Sequence, residues 1–399
     1  MMRSRGEINR RQFVASGIAG AAGTYVLADP LLNRALAAVP VANDVAFRSG
    51  VASGQVAQRG ITLWTQLDGL TDPSRLQVEV AKDAGFSKVI ARAEALADPA
   101  QGGTARVRLR GRAFQPGDRY FYRFISQNGS SGVGRFRTAL PPGSKDPVKV
   151  AFFACQDFGT GFYAAHKDMA AQDVDLVVAL GDYIYEDAYF LGAVRDLPKT
   201  PDGQVRTLDE YRNQYRTYNA DQYLQAVRAM APMEVIWDDH EVEDNYAADK
   251  PGGNGAGLAG SGAGRDIPFL ERRANGYQAF FAAQPMIRNA QTPDRIYGSQ
   301  RYGQLELFKL DTRQFRTDQA CNPNDAFVGF CTDLNETLDP NATLMGATQR
   351  NWLLNGLKRS TAPWKLIANQ VMIQSLDIIF RDGPIQTTAA WDGYGAERA

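Results

Sequence analysis

The stretch "LVVALGDYIYEDAY", residues 176–189, places acidic and phenolic side chains directly after a strongly apolar run. Residues 176–180 offer no polar alternation, which is typical of a strand buried on both faces of a sheet. Asp182 follows at once, and Tyr185 comes three residues later. Since α/β sheets bind ligands outside the carboxyl ends of their strands, this stretch predicts the fold class and the position of a functional site.

The same pattern of buried strand followed by reactive residues recurs along residues 148–399. "VKVAFFAC" (148–155) predicts a strand, residues 162–172 have the spacing of a helix, and "DLVVALGD" (175–182) predicts the next strand. This βαβ order predicts a parallel sheet. Further strands are predicted in "MEVIWDDHE" (233–241), "YGQLELFKLDTR" (302–313) and "PWKLIANQVMI" (363–373).

Residues 44–140 predict a different, all-β module. Short runs of alternating polarity are separated by turn residues and occur at "GITLWTQL" (60–67), "LQVEVAKD" (76–83), "ARVRLRG" (105–111) and "RYFYRFIS" (119–126). Short strands at this spacing favour a small sandwich of immunoglobulin or fibronectin type. A chain of 399 residues is long enough for this module and a second domain.

Residues 1–37 have the composition of an export signal. A basic front precedes a short apolar run, and "NRRQFV" (9–14) resembles the twin-arginine signal that exports folded proteins. We therefore expect a periplasmic or secreted protein without a transmembrane segment in its mature chain; the alternative is a basic helix of the mature fold. The formal net charge of zero gives no nucleic-acid-binding signature.

The three cysteines divide into a pair and a single residue. Cys321 and Cys331 lie in a polar loop, "CNPNDAFVGFC", and an exported protein can oxidise them to a disulfide. Cys155 is then unpaired, at the end of a predicted strand. Its alternatives are a metal ligand and a small buried apolar residue.

Reactive side chains follow four predicted strands: Cys155, Asp182, the run Asp238, Asp239 and His240, and Asp311. So many carboxylates at one edge predict a metal site or an acid/base site, because cations offset their mutual repulsion. The sequence has no G-x-S-x-G elbow and no phosphate-binding P-loop, and it has only two histidines, His166 and His240. Oxygen ligands with one sulfur favour ferric iron or calcium, and a ferric ion is acidic enough to deprotonate a ligating Tyr185.

The motifs that carry these residues closely resemble the alkaline phosphatase D (PhoD-like) family of metallophosphoesterases over nearly the whole chain. They are "FFACQDFGTG" (152–161), "GDYIYE" (181–186), "WDDHEVEDNY" (237–246), "LDTRQFRTDQ" (310–319), "TQRNWLLNGLKRS" (348–360) and "WKLIANQVM" (364–372). The resemblance implies a four-layer α/β/β/α catalytic domain with an iron and calcium centre, preceded by the β-sandwich.

The resemblance also implies roles for single residues. Cys155, Asp182 and Tyr185 would ligate iron, with Asp182 bridging to a second metal. Asp239 would bind that second metal, His240 would stabilise or protonate the leaving oxygen, and Asn245 is a weaker ligand candidate. The implied reaction is two-metal hydrolysis of phosphate monoesters or diesters. Alternatives are a phosphodiesterase of phospholipase D type, acting on phospholipids or polymeric diesters, and an inactive truncated binding protein.

Several assignments stay open at the level of sequence. Asp157 and Arg313 are candidates for substrate binding, and Arg313 alternatively forms a structural salt bridge with Asp311. Glu186 and Asp187 fit a polar start of a helix. The family continues with a further strand and a G-D-x-H motif where this chain ends at "AAWDGYGAERA" (389–399), so an incomplete catalytic domain is expected.

Overall fold

The computed structural model describes residues 39–43, 45–187, 193–201, 203–252, 267–320, 330–331, 335–376, 378–380 and 383–399. The predicted export signal, residues 1–37, lies outside this range. The predicted disulfide also lies outside it, since Cys321 is not among the described residues.

The N-terminal part is all β. Its strands are β1 (Val51–Ala57), β2 (Gly60–Gln66), β3 (Ser74–Ala81), β4 (Val89–Asp98), β5 (Thr104–Arg110), β6 (Arg119–Ser126), β7 (Gly129–Ser130) and β8 (Gly134–Arg137), with a 3-10 helix at Pro99–Gln101. Strands β1, β2 and β5 form one half, and β3, β4 and β6 with β7 and β8 form the other. Only two residue pairs, Ala97 with Ala105 and Asp98 with Thr104, join β4 to β5. The apolar side chains of both halves pack into one core, as in a sandwich.

A parallel sheet of three strands carries the candidate site. It consists of β9 (Val150–Phe153), β10 (Leu176–Leu180) and β11 (Met233–Ile236), with β10 in the middle. Helices α1 (Ala164–Ala171), α2 (Leu208–Asn219) and α3 (Gln222–Met230) connect them. The side chain of Thr207 caps α2 within a capping box, and that of Asp221 caps α3, which fixes where both helices begin.

The two parts share one sheet, because β1 pairs with β11 in parallel, with Gly54 opposite Met233. The backbones approach so closely that a Cβ atom at Gly54 would lie 2.5 Å from the Pro285 carbonyl oxygen and 2.6 Å from that of Met233. A residue with any side chain would force them apart. The sheet therefore runs without interruption from the sandwich into the site-bearing strands.

A second sheet faces the first. It comprises β12 (Gly298–Tyr302), β13 (Leu305–Lys309) and β15 (Trp364–Ala368). Buried Glu234 of β11 reaches across to Lys309 at 2.6 Å and to the Tyr302 hydroxyl at 2.9 Å. On the other face of β13, Phe308 packs against Gly356 of α5 (Gly346–Arg359). Helix, sheet, sheet and helix thus form four layers.

The remaining described elements flank these layers. They are helix α4 (Phe269–Ala283), the short helix α6 (Gly395–Arg398), 3-10 helices at Glu336–Leu338 and Trp391–Tyr394, and a small antiparallel sheet of β14 (Phe330–Cys331), β16 (Ile378–Phe380) and β17 (Gly383–Thr387). The predicted fold class, α/β with an all-β module in front, is confirmed. Within the described residues no helix combines the length and apolarity that crossing a membrane requires.

Candidate metal centre and active site

The site begins where β9 and β10 end, at Cys155 and Asp182. Both residues have positive φ, +52° and +49°, a conformation that side-chain-bearing residues rarely adopt. The strand ends hold each other there, because the Cys155 N–H donates to the Gly181 carbonyl and the Gln156 N–H donates to the Asp182 carbonyl. Such strain persists where the surrounding structure enforces it, and it is common at functional sites.

Asp182 lies at the centre of the cluster. Its Oδ2 accepts from the Cys155 thiol and from the Tyr185 hydroxyl, both at 3.3 Å. Its Oδ1 accepts from the backbone N–H of His240 at 3.4 Å. Two of the side chains that the family resemblance implies as iron ligands, Cys155 and Tyr185, therefore converge on one oxygen of the third, Asp182.

The pKa values of Asp182, Cys155 and Tyr185 indicate whether these side chains can bind a metal ion. Burial raises the pKa of Asp182 to about 6, and the charge of Asp239 adds to the shift. Cys155 as a residue is exposed, but the desolvation of its thiol and the Asp182 carboxylate raise the pKa of that thiol; burial and the same carboxylate raise the pKa of the Tyr185 phenol. Without a cation, these three acidic groups lie so close together that they keep their protons. A multivalent cation would displace the protons and stabilise the three anions. The donor set therefore fits a metal ion.

Asp239 and His240 extend the cluster from the end of β11. One ligand atom each of Asp182, Asp239 and His240 lies within 4.8 Å of the others, and all three residues are buried. Asp239 accepts from the Asn245 backbone N–H at 2.7 Å and pairs with Arg313 at 3.1 Å. Although burial opposes it, the charges of Arg313 and His240 hold the pKa of Asp239 well below its usual range. Asp239 is thus an ionised carboxylate available to a cation.

Arg313 is buried and pairs with both Asp238 and Asp239. Its Nε lies 2.5 Å from Asp238 Oδ1, in addition to the contact with Asp239. Asp311, which the sequence offered as its salt-bridge partner, instead accepts the backbone N–H of Arg313 at 3.1 Å and the Trp237 indole N–H at 3.3 Å. Burial nevertheless raises the pKa of Asp238 to about 8. The structure therefore gives Arg313 two carboxylate partners at the end of β11.

Glu241 is a functional neighbour that the sequence reading missed. Fully buried, it accepts from the backbone N–H groups of Asp182 at 3.2 Å, Tyr183 at 2.7 Å and Asp238 at 2.8 Å. It therefore ties the end of β10 to the end of β11. Its position directly after "DDH" was the only available signal.

Glu186 was also missed, since it fits a polar start of a helix. Residues 186 and 187 are not helical, and residues 188–192, where such a helix would continue, lie outside the described ranges. Instead Glu186 is buried and lies 2.7 Å from Nδ1 of His240, whose ring stacks on Tyr185 with centroids 4.2 Å apart. Burial opposes the charged imidazole, but Glu186 and the two aspartates outweigh it and raise the pKa of His240 well above its usual value. These carboxylates thus favour the protonated form of the His240 imidazole.

Three other candidates lie around this centre. Half-buried Asp157 accepts the Gly159 N–H at 2.9 Å, and burial raises its pKa. Asn245 contacts Asp239 through its backbone and has a positive φ of +57°. His166, the other histidine of the chain, is buried on α1, 2.7 Å from the Gln156 side chain.

Comparison with known proteins assigns this mixed α/β fold, with carboxylates, a thiol, a phenol and an imidazole at its strand ends, to a family of phosphoester hydrolases. Residues 150–399 match the family described as PhoD-like phosphatase, and residues 34–140 match the PhoD-like phosphatase N-terminal domain. The chain belongs to the PhoD-like phosphatase family. The domain boundaries at 44–140 and 148–399 stay predictions.

Two relatives support this membership. The chain is 34% identical over 409 residues to alkaline phosphatase D of Bacillus subtilis (strain 168), a match that covers 98% of this chain and 67% of the relative. A solved structure described as "Structure of PhoD" is 33% identical with a TM-score of 0.79, and the match covers 90% of this chain and 69% of that one.

Proposed function

We propose that this protein is an exported, metal-dependent phosphoesterase of alkaline phosphatase D type, which hydrolyses phosphate monoesters, diesters or both. The observation that carries the proposal is the convergence on Asp182: a thiol and a phenol share one of its oxygens, and the His240 backbone holds the other. Asp182 also belongs, with Asp239 and His240, to the one cluster of three His, Cys, Asp or Glu residues in the described ranges whose ligand atoms lie within 4.8 Å of one another.

The donor types argue for iron and calcium. Cys155, Asp182 and Tyr185 would hold ferric iron, because deprotonating a phenol and a thiol with raised pKa values requires a strong Lewis acid. Asp239 supplies an ionised oxygen ligand of the kind calcium prefers, and Asn245 is its proposed neighbour in that site.

When bound, the metals would lower the pKa of a coordinated water to about 7 and offset the charge of the phosphate. The chain's own residues supply the remaining chemistry. His240, protonated and buried beside Asp182 and Asp239, donates a proton to the leaving oxygen. Arg313 keeps Asp239 ionised and holds the acidic run at the end of β11.

Elemental analysis of the purified chain tests the proposal, together with hydrolysis of p-nitrophenyl phosphate and bis(p-nitrophenyl) phosphate. We expect about one iron per chain, calcium, and turnover of at least one ester; the ratio of the two rates separates a monoesterase from a diesterase. Iron should be lost in Cys155→Ser and Tyr185→Phe. The matched control is Tyr223→Phe, on the partly exposed face of α3. A folded chain without metal and without turnover would contradict the proposal.

Export is tested separately. The paired arginines in "NRRQFV" support a twin-arginine route, with the periplasm or the medium as destination. Replacing both Arg10 and Arg11 by Lys should leave the protein in the cytoplasm, whereas Arg34→Lys should not. Cell fractionation with an antibody measures both, and unchanged export of the double variant would refute this route.

A further inference from the structure

Glu186 is built into the site in a way that the proposed roles leave unexplained. It is 1% exposed, and it is the residue after the candidate ligand Tyr185. Its two carboxylate oxygens have different partners: Oε2 lies 2.7 Å from Nδ1 of His240, and Oε1 accepts the backbone N–H of Asp244 at 2.8 Å.

These contacts determine how the imidazole can act. The 2.7 Å contact places Nδ1 of His240 against a carboxylate oxygen that can accept its proton, so the geometry favours the arrangement in which Nδ1 donates and Oε2 accepts. The Asp244 N–H, donating to Oε1, keeps the carboxylate from rotating away. The Tyr185 ring, stacked at 29° to the imidazole, limits rotation of the ring itself. His240 can therefore donate a proton to a leaving group through its other ring nitrogen, Nε2.

We propose that Glu186 is a positioning residue for proton donation, which holds the His240 ring by Nδ1 so that Nε2 delivers the proton to the leaving oxygen. The inference rests on the proposed function of His240 as the proton donor. In the step, the oxygen of an attacking hydroxide forms a bond to phosphorus while the bond between phosphorus and the leaving oxygen breaks, and its electron pair passes to the leaving oxygen. The leaving oxygen takes the proton from Nε2, and the imidazole remains neutral because Nδ1 keeps its proton and donates it in the hydrogen bond to Glu186.

Geometry separates Glu186 from the other buried acids of the site. Glu241 bonds only to backbone N–H groups in the contacts described above, so it shapes the strand ends rather than the imidazole. Asp244 lies 3.9 Å from Nε2, beyond hydrogen-bond distance. Glu186 is the acid that meets Nδ1 at 2.7 Å.

Leaving-group dependence tests the proposal. Glu186→Gln preserves the shape of the side chain, but its amide has only one oxygen and cannot accept hydrogen bonds from both His240 Nδ1 and the Asp244 N–H. It should lower kcat for an alkyl phosphate by about 10- to 100-fold, the usual cost of losing such an orienting partner, with KM little changed. For p-nitrophenyl phosphate, whose leaving group needs no proton, the loss should be much smaller. Glu186→Asp should recover part of the alkyl rate. Equal losses on both substrates would indicate a purely structural role and overturn the proposal.

A double-mutant cycle adds a second test. In a His240→Asn background Glu186→Gln should cost nothing more, since both changes remove the same step. The matched control is Glu234→Gln, which alters an equally buried, paired glutamate on β11 away from the cluster. It should lower thermal stability without changing the ratio of alkyl to aryl rates. Additive losses in the cycle would overturn the proposal.

One readout does not depend on turnover. The chain has two histidines, so ¹⁵N-histidine labelling of the full chain gives a spectrum that His240→Asn assigns. We expect an Nδ1–H correlation for His240 that disappears in Glu186→Gln and persists in Glu234→Gln. An unchanged tautomer in Glu186→Gln would overturn the positioning role. If the wild type hydrolyses no ester but the tautomer depends on Glu186, the proposed function fails and the orienting contact stands.

Discussion

At the scale of single residues, Asp182 connects every part of the candidate centre. Its two oxygens contact side chains or backbone that follow β9, β10 and β11, and it sits in a strained conformation that its neighbours enforce. Without a cation, protons must hold Asp182, Cys155 and Tyr185 together. The residue is therefore needed more for assembling the site than for folding.

Replacing Asp182 by Ala should abolish metal binding and hydrolysis while the β-sandwich stays folded, because the carboxylate is a ligand and no part of the apolar core. Elemental analysis, turnover and circular dichroism measure the three effects. The control Asp173→Ala removes an aspartate from an exposed ion pair with Arg119, which should matter little. Retained turnover in Asp182→Ala would rule out the metal-dependent mechanism.

Arg313→Met should destabilise the metal-free chain by about 3–5 kcal/mol, since it leaves Asp238 and Asp239 buried without their cation. Added calcium should restore part of the loss by binding Asp239. Urea unfolding with and without calcium measures both effects. For comparison, Arg119→Met breaks an exposed pair and should cost less than about 1 kcal/mol. A loss for Arg313→Met no larger than that of the control would show that the two ion pairs of Arg313 are unimportant.

Position relative to a strand end was enough to predict that Cys155, Asp182 and the run after β11 lie close together. Glu186 and Glu241 were not predictable in the same way. Apart from Asp238, which Glu241 contacts locally, the partners named here lie more than 50 residues away along the chain, so tertiary contacts decide whether such an acid faces solvent or a buried imidazole. The partners of Arg313 likewise depend on how the two sheets face each other.

At the scale of elements, the site is an alignment of strand ends from two different sheets. Gln370, which follows β15, donates through Nε2 to the carbonyls of Trp237 at 2.8 Å and Leu310 at 2.9 Å. Trp237 follows β11 and Leu310 follows β13, so one amide connects the ends of three strands. Arg313 makes a second connection between the same sheets.

Gln370→Leu should cost about 1–3 kcal/mol of stability, the price of leaving partly buried carbonyls without a donor. It should also weaken metal binding, because Asp238 and Asp239 directly follow Trp237. Thermal unfolding and a metal titration measure the two effects. Gln304→Leu, which removes an exposed contact to the Asp146 carbonyl, is the control. Unchanged metal affinity in Gln370→Leu would show that the strand ends align without it.

Strands rich in Leu, Val, Ile and Phe were predictable, but β1 and β4 were not. The buried positions of β4 are occupied by alanines 91, 93, 95 and 97, and alanine has a low strand propensity. Strand β1 reads "VASGQVA", where small and polar residues are buried because neighbouring strands cover them on both sides. In both cases tertiary packing outweighs local preference.

At the scale of the whole molecule, the buried acids make stability depend on pH and on metal. The folded pKa values of Asp182 and Asp238, about 6 and about 8, exceed the ordinary value of 3.8. Between 3.8 and these values the folded chain binds more protons than the unfolded chain. The free energy of unfolding therefore decreases as pH rises through this window. His240, with its raised pKa, acts in the same direction above pH 6.5.

The chelator-treated chain should accordingly lose several kcal/mol of stability between about pH 4 and pH 8, on the order of 1.4 kcal/mol for each unit of raised pKa. Metal-loaded protein should lose much less, because cations replace the protons. Urea unfolding at a series of pH values compares the two forms. The variant Asp182→Asn should flatten the curve of the chelated chain between pH 4 and 6, and an unchanged slope would contradict this assignment.

The parallel pairing of β1 with β11 has a consequence for how this architecture can be inherited. A cut in the chain near residue 143 would separate the two parts in sequence but would also split one hydrogen-bonded sheet. Gly54 of β1 lies against the edge of β11, and Asp238 and Asp239 follow the end of β11. Recombination that exchanged the front module for another sandwich would expose that edge and move Met233. The module thus supports one edge of the sheet that carries the candidate site, and we expect the two parts to change together in evolution.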